Sequence, residues 1–307
     1  MTYRMRIASS IAINSLEREL HHNFNWLKER GCSIETRYEQ QDRYHCLLVT
    51  LHYPRKGVLF REEDFVYIFK YQLAEIVAEH IISLWEEELV KRRLDKTYRG
   101  LLPEERSLIL EKALSFMRCC DDSESLSLLM RFGRKSRIAH RVLDHLLEHD
   151  MLILDGFVSF YLRDYLKEIQ FAVDLAWEEV NNEKKYNEFV KLLRYFVDSQ
   201  PSRVLEVNLM MTGAGGFSMW DESGNSLDET YVRGCLEEIF TDDISTDDVL
   251  VSVLITLAPR RVVLHGSSGK LPCNESIKII KKVFKEKIVT CTGCDRCRES
   301  LIKKGDV

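Results

Sequence analysis

The chain has 307 residues, long enough for two or three units with cores of their own, and its 45% apolar and 30% charged content is that of an ordinary globular protein. A net charge of −5 at pH 7 argues against a generally basic nucleic-acid binder, and five prolines with fourteen glycines leave little room for long disordered linkers. Nine cysteines, an odd number in a chain of this size, do not read as a disulfide framework. Residues 1–13 carry Arg4 and Arg6 but too short an apolar stretch for a signal peptide, and runs such as 249–258 are too brief to cross a bilayer. The expectation is a cytoplasmic protein without a membrane partner.

In chain order, residues 5–13 read as a strand. Asn14 or Ser15 can cap a helix with Leu16, Leu20, Phe24 and Leu27 on one face, closed by Gly31. Two strands, 34–38 and 46–53, form a hairpin that Pro54 stops. A long helix over 62–94 follows, with Phe65, Phe69, Leu73, Ile76, His80 and Leu84 at steps of three or four. His80 on that face reads as a core histidine, and Lys91, Arg92 and Arg93 suit the negative end of the helix. Pro103 opens a helix running to about Arg118, residues 121–124 make a polar break, and two helices are expected on either side of Gly133, over 126–132 and 136–148.

Residues 151–154 and 157–161 flank Asp155-Gly156, a two-residue hairpin signal. Three helices and then a hairpin have the order of a winged helix. Residues 163–199 are helical again, as one kinked helix or two stacked ones around Asn181-Asn182. After Pro201 come a strand over 204–211, a turn over 213–216, hairpin edges at 217–220 and 225–227, and helices over 229–240 and 246–257. Pro259 stops the last of these. Strand 261–265, helix 273–285 and strand 288–291 suggest a parallel βαβ unit. The expected class is α+β, in three parts: a small N-terminal α/β unit over 1–60, a helical domain over 61–200 with its hairpin at 151–161, and a C-terminal α/β unit over 201–307.

Cys291, Cys294 and Cys297 form a C-x-x-C-x-x-C run, the most specific chemical signal in the chain. Thiolates at this spacing sweep around a tight loop and can converge on zinc or an iron–sulfur cluster. Three ligands are one short of four. Cys273, ahead of the preceding helix, is the natural fourth, and His265 is a weaker one. Unliganded reduced thiols and thiol redox chemistry are the alternatives.

Other motifs dissolve on inspection. His265 to Lys270 has two residues between its glycines where a phosphate loop needs four, and Gly213-Ala-Gly-Gly216 lacks the dinucleotide pattern. Arg131, Arg134, Lys135, Arg137 and Arg141 make a basic cluster that can meet phosphates, yet residues 103–160 hold eight Lys/Arg against ten Asp/Glu, which favours a salt-bridged face. No catalytic residues emerge.

The stretch Asp155-Gly-Phe-Val-Ser-Phe-Tyr-Leu-Arg-Asp-Tyr165 resembles the signature of the YtxC-like family of sporulation proteins, departing from it at Tyr161. Val173-Asp174, Glu183, Lys184, Tyr186, residues 189–197 and Leu254-Ile-Thr-Leu-Ala-Pro259 are similar too. The resemblance implies a sporulation setting and carries no catalytic residues with it. The expected function is therefore a non-enzymatic, sporulation-associated protein acting through a protein partner. The alternatives are a winged-helix-like nucleic-acid binder using the basic cluster, and a metal or iron–sulfur redox protein.

Overall fold

The structure is a computed structural model that describes residues 1–25, 31–54, 61–118, 124–211, 216–227, 246–266 and 275–302. It is of the α+β class, with a four-stranded sheet in each of two compact units, residues 1–181 and 182–307.

The first unit begins with β1 (Thr2–Ser9), α1 (Asn14–Asn23) and the hairpin β2 (Ser33–Gln41) and β3 (Tyr44–His52). The helices α2 (Glu62–His80), α3 (Glu86–Thr97), α4 (Pro103–Arg118) and α5 (Glu124–Glu148) follow, then β4 (Met151–Ile153), α6 (Leu154–Tyr161) and α7 (Arg163–Ser199), whose residues from 182 onward belong to the second unit. The sheet order is β2-β3-β1-β4, with β1 antiparallel to β3 and parallel to β4. Alternation along β1 and β3 turns Met5, Ile7, Leu47, Val49 and Leu51 to one face, where they share a core with Leu16, Leu20, Phe69 and Leu73 of α1 and α2. Residues of the first 60 and of the helices after them thus belong to one core.

Between α2 and α3 lies a π-helical turn, Ile81–Trp85. Phe65, Phe69, Leu73, Val77 and Ile81 are buried at steps of four. Ile82 and Trp85 are buried next, and Glu86, Val90 and Leu94 follow Ile82 at steps of four. The extra residue of the π turn shifts the face that carries His80 from Leu84 to Trp85. Leu84, which unbroken helical spacing would bury, is 43% exposed, and Trp85 is buried in its stead.

Two expectations are corrected. Helix α5 runs through Gly133 without a break, so the two helices expected there are one. The hairpin expected at 151–161 is absent: β4 pairs with β1, and residues 154–161 are helical. Leu154, Phe157 and Val158, at i, i+3 and i+4, form one buried face. The Asp155 carboxylate accepts from the Ser10 backbone N–H at 2.8 Å and from the Ser10 hydroxyl, and Gly156 does not adopt the positive φ that a primed turn demands. Without that hairpin there is no wing.

His80 is a core residue, as its place on the stripe suggests. It is 1% exposed, with the Ser15 hydroxyl 3.3 Å from Nδ1 and no partner for Nε2 among the described residues. Burial holds its pKa down to about 4, below the ordinary 6.5. The unfolded chain therefore binds the extra proton first as pH falls. Stability present above pH 6.5 is lost progressively towards pH 4, by about 3 kcal/mol for such a shift. Urea unfolding of His80→Leu across this range should show that much less acid sensitivity than the wild type.

The second unit holds β5 (Glu206–Met211), β6 (Phe217–Trp220), α8 (Thr246–Leu257), β7 (Arg261–His265), α9 (Glu275–Phe284), a short 3-10 turn, β8 (Ile288–Thr290) and α10 (Asp295–Ile302). Its sheet order is β6-β5-β7-β8. Strand β6 is antiparallel to β5, and β5, β7 and β8 are mutually parallel, so β7-α9-β8 is the expected βαβ unit. Val207, Leu209, Val262 and Leu264 of the sheet share a core with Leu250, Leu254, Leu257, Ile280 and Phe284. The helix expected over 229–240 lies outside the described residues.

Candidate metal centre

Parallel pairing of β7 with β8 sets Leu264 opposite Thr290, which places His265 beside Cys291 at the carboxyl ends of both strands. Ligand sites of open α/β sheets favour this end. The Cys291 N–H donates to the Leu264 carbonyl at 2.9 Å and extends the register by one residue. The chain then turns through Gly293, at φ +122°, a conformation closed to most side chains. That turn aims the Gly293 N–H at the Cys291 sulfur, 3.4 Å away. Cys294 ends the turn and Cys297 lies in the first turn of α10, its side chain brought back over the loop.

Four donor atoms converge as a result. His265 Nδ1 and the sulfurs of Cys291, Cys294 and Cys297 all lie within 4.8 Å of one another. Nδ1 is 3.4 Å from both Cys294 Sγ and Cys297 Sγ, and Cys297 Sγ is 3.6 Å from Cys294 Sγ and 3.9 Å from Cys291 Sγ. Zn–S bonds of about 2.3 Å and a Zn–N bond of about 2.0–2.1 Å at tetrahedral angles require S···S separations of about 3.8 Å and S···N of about 3.5 Å. These four separations match those of one tetrahedral ion. A polynuclear cluster would hold its thiolates around a wider cage.

The electrostatics suit a metal as well. Burial holds His265 below its ordinary pKa, so the imidazole is neutral and its lone pair free to coordinate. The Gly293 N–H bond lowers the Cys291 pKa, whereas burial and the neighbouring Cys294 push Cys297 up to about 11. A buried thiol of that kind becomes a thiolate when a cation is beside it.

Of the residues the sequence singled out, Cys291, Cys294 and Cys297 come together. Among the described residues the donor atom that joins them is Nδ1 of His265, the weaker candidate, and Cys273 lies outside the described residues. The basic cluster is engaged by carboxylates. Arg131 meets Glu79 at 2.6 Å, Lys135 meets Glu79 and Glu75 at 3.3 and 3.6 Å, Arg134 meets Glu86 and Glu168 at 3.6 and 3.1 Å, and Arg137 also pairs with Glu168. Among the described residues Arg141 makes no ion pair.

Sequence reasoning missed the surroundings of the imidazole. Asn208 on β5 reaches His265 Nε2 at 2.9 Å. The Trp220 ring lies 4.9 Å from the His265 ring, and the Arg296 guanidinium sits over Trp220 while donating to the Gly224 carbonyl. No local pattern marks these residues: strand pairing brings Asn208 and Trp220 to His265, and α10 carries Arg296.

The sequence profile of the YtxC-like family matches residues 71–289, more than half of the chain. The chain belongs to the YtxC-like family. The uncharacterised protein YtxC of Bacillus subtilis strain 168 is similar to it, 24% identical over 220 residues that cover 69% of this chain and 74% of that protein. No solved structure matches. The YtxC-like match takes in Asn208 and His265 and stops two residues before Cys291. Of residues 155–165, Phe157, Val158, Leu162 and Tyr165 are buried, with the Tyr165 hydroxyl donating to Glu86 at 3.0 Å, whereas Phe160 and Tyr161 are exposed.

Proposed function

We propose that this YtxC-like protein is a non-enzymatic, cytoplasmic, sporulation-associated protein that acts through a protein partner, and that a structural zinc ion on Cys291, Cys294, Cys297 and His265 holds its C-terminal unit. The observation that carries the metal reading is the convergence of three sulfurs and one imidazole nitrogen within 4.8 Å of one another. Four protein ligands saturate such an ion and leave no open position for a substrate, which favours a structural over a catalytic role. Action through contacts is supported by Leu128, Leu129 and Phe132 of α5, which are 62, 66 and 71% exposed. The sporulation setting rests on the family resemblance. The nucleic-acid reading loses its support with the missing wing and the carboxylate-paired cluster.

The test is metal analysis of protein purified anaerobically without a metal-affinity step. One zinc per chain and a colourless preparation are expected, with zinc lost in Cys294→Ser. A metal-free wild type, or a brown iron-containing one, would refute the zinc assignment. Spore yield of a deletion strain complemented with the wild type or Cys294→Ser tests the setting, and normal spores without the gene would remove it.

A further inference from the structure

The hydrogen bonds around Asn208 fix more than its own position. Asn208 is 7% exposed, and its side-chain amide has three polar neighbours: His265 Nε2 at 2.9 Å, Glu206 Oε1 at 3.2 Å and the Asp221 carbonyl at 3.3 Å. Two of the three, the Glu206 carboxylate and the Asp221 carbonyl, can only accept. The amide NH2 must face them, which leaves Oδ1 towards the imidazole as an acceptor. His265 Nε2 therefore carries the proton, and the lone pair lies on Nδ1, the atom 3.4 Å from two of the three sulfurs.

From this we infer that Asn208 is the positioning residue of the metal centre: by accepting from Nε2 it holds His265 in the one tautomer and ring orientation that present Nδ1 to the metal, and so sets the metal affinity. The inference rests on the zinc reading above. It adds that a residue 57 positions away from His265, on a different strand, controls the site. The relay continues outwards. Glu206 holds the Asn208 NH2, and Arg261, its register partner on β7, lies 3.4 Å from Glu206. The Asp221 carbonyl that receives the second N–H belongs to a turn whose own carboxylate accepts from the Ser223 and Asn225 backbone N–H groups at 2.9 and 2.8 Å. Partners that orient a metal-bound histidine in this way alter metal affinity by roughly 10–100-fold when removed.

The experiment is competition for zinc(II) between the full-length protein and a chromophoric chelator. Asn208→Leu, close in shape but without an acceptor, should still bind one zinc, roughly 10–100-fold more weakly than the wild type. Asn208→Ser, too short to reach Nε2, serves the same purpose should the leucine variant fail to fold. In a His265→Ala background, where three thiolates remain, Asn208→Leu should cost nothing further. A wild type that binds no zinc would bring down the metal reading itself. A zinc-binding wild type matched by Asn208→Leu would overturn the positioning role alone. An equal loss with and without His265 would make Asn208 a general structural residue and would overturn it too.

Discussion

With the proposed zinc removed, the C-terminal unit should lose about 4 kcal/mol of stability relative to protein in free zinc held roughly a thousandfold above Kd. The size follows from linkage, because the unfolded chain has no assembled site. The location follows from what else secures residues 291–302. Helix α10 has eight residues, below the roughly 12–15 that an isolated helix needs, and β8 contributes only three residues to the sheet edge. Asp295, Arg296 and Arg298 are exposed, whereas Cys297 is 3% exposed and faces the ligand cluster. On the zinc reading the metal is therefore a principal tether of the loop and helix, beside the Arg296 contacts to Trp220 and Gly224. Trp220 reports on it, since its ring lies against His265 and under Arg296. Urea unfolding followed by tryptophan emission, with Trp220→Phe as the control, should show a lower midpoint in excess chelator. Cys297→Ser should shift the midpoint in the same direction, and chelator should add little to it. An unchanged midpoint in protein verified as zinc-free would mean that the sheet and Cys297 packing hold this segment unaided.

What the sequence made legible divides along the range of the physical signal. Local periodicity gave β2, β3, the long helices and the βαβ order, because each is encoded within one turn or one strand. Asp155-Gly156 misled for a local reason: the dipeptide favours a hairpin, but the apolar spacing of Leu154, Phe157 and Val158 with the tie from Asp155 to Ser10 outweighs a two-residue preference. Leu84 misled because a π-helical turn changes the phase of a stripe without any marker residue. At the metal centre, the cysteine spacing was visible and the fourth ligand was ambiguous. Cys273 and His265 are both close in sequence, and the parallel register of β7 with β8 brings His265 to the sulfurs. Asn208 was beyond reach altogether, as no composition or spacing rule couples residues on separate strands.

Arg134→Met should destabilise the first unit by about 3–5 kcal/mol, the cost of leaving a buried charge without its partner. Glu86 is 2% exposed and Arg134 7%, so neither charge has much water to fall back on. Three groups compensate the pair. The Tyr165 hydroxyl donates to Glu86 Oε2 at 3.0 Å, Arg134 Nη1 donates to the Met117 carbonyl at 2.9 Å, and Arg134 Nε donates to Glu168 at 3.1 Å. Burial and the Glu86 charge together push the Tyr165 phenol well above its ordinary pKa, so it stays a donor throughout the physiological range. Replacing the whole group by apolar side chains removes the desolvation cost along with the attraction. The triple variant Glu86→Leu/Arg134→Met/Tyr165→Phe should therefore recover most of what Arg134→Met loses. Urea unfolding of the full chain, read through Trp85 and Trp177, measures both. A loss under about 1 kcal/mol for Arg134→Met would place the network in effective contact with solvent, as for surface pairs. The same variant separates the two readings of the basic cluster. A side chain that serves phosphates can be removed with little effect on folding, whereas one that neutralises Glu86 cannot.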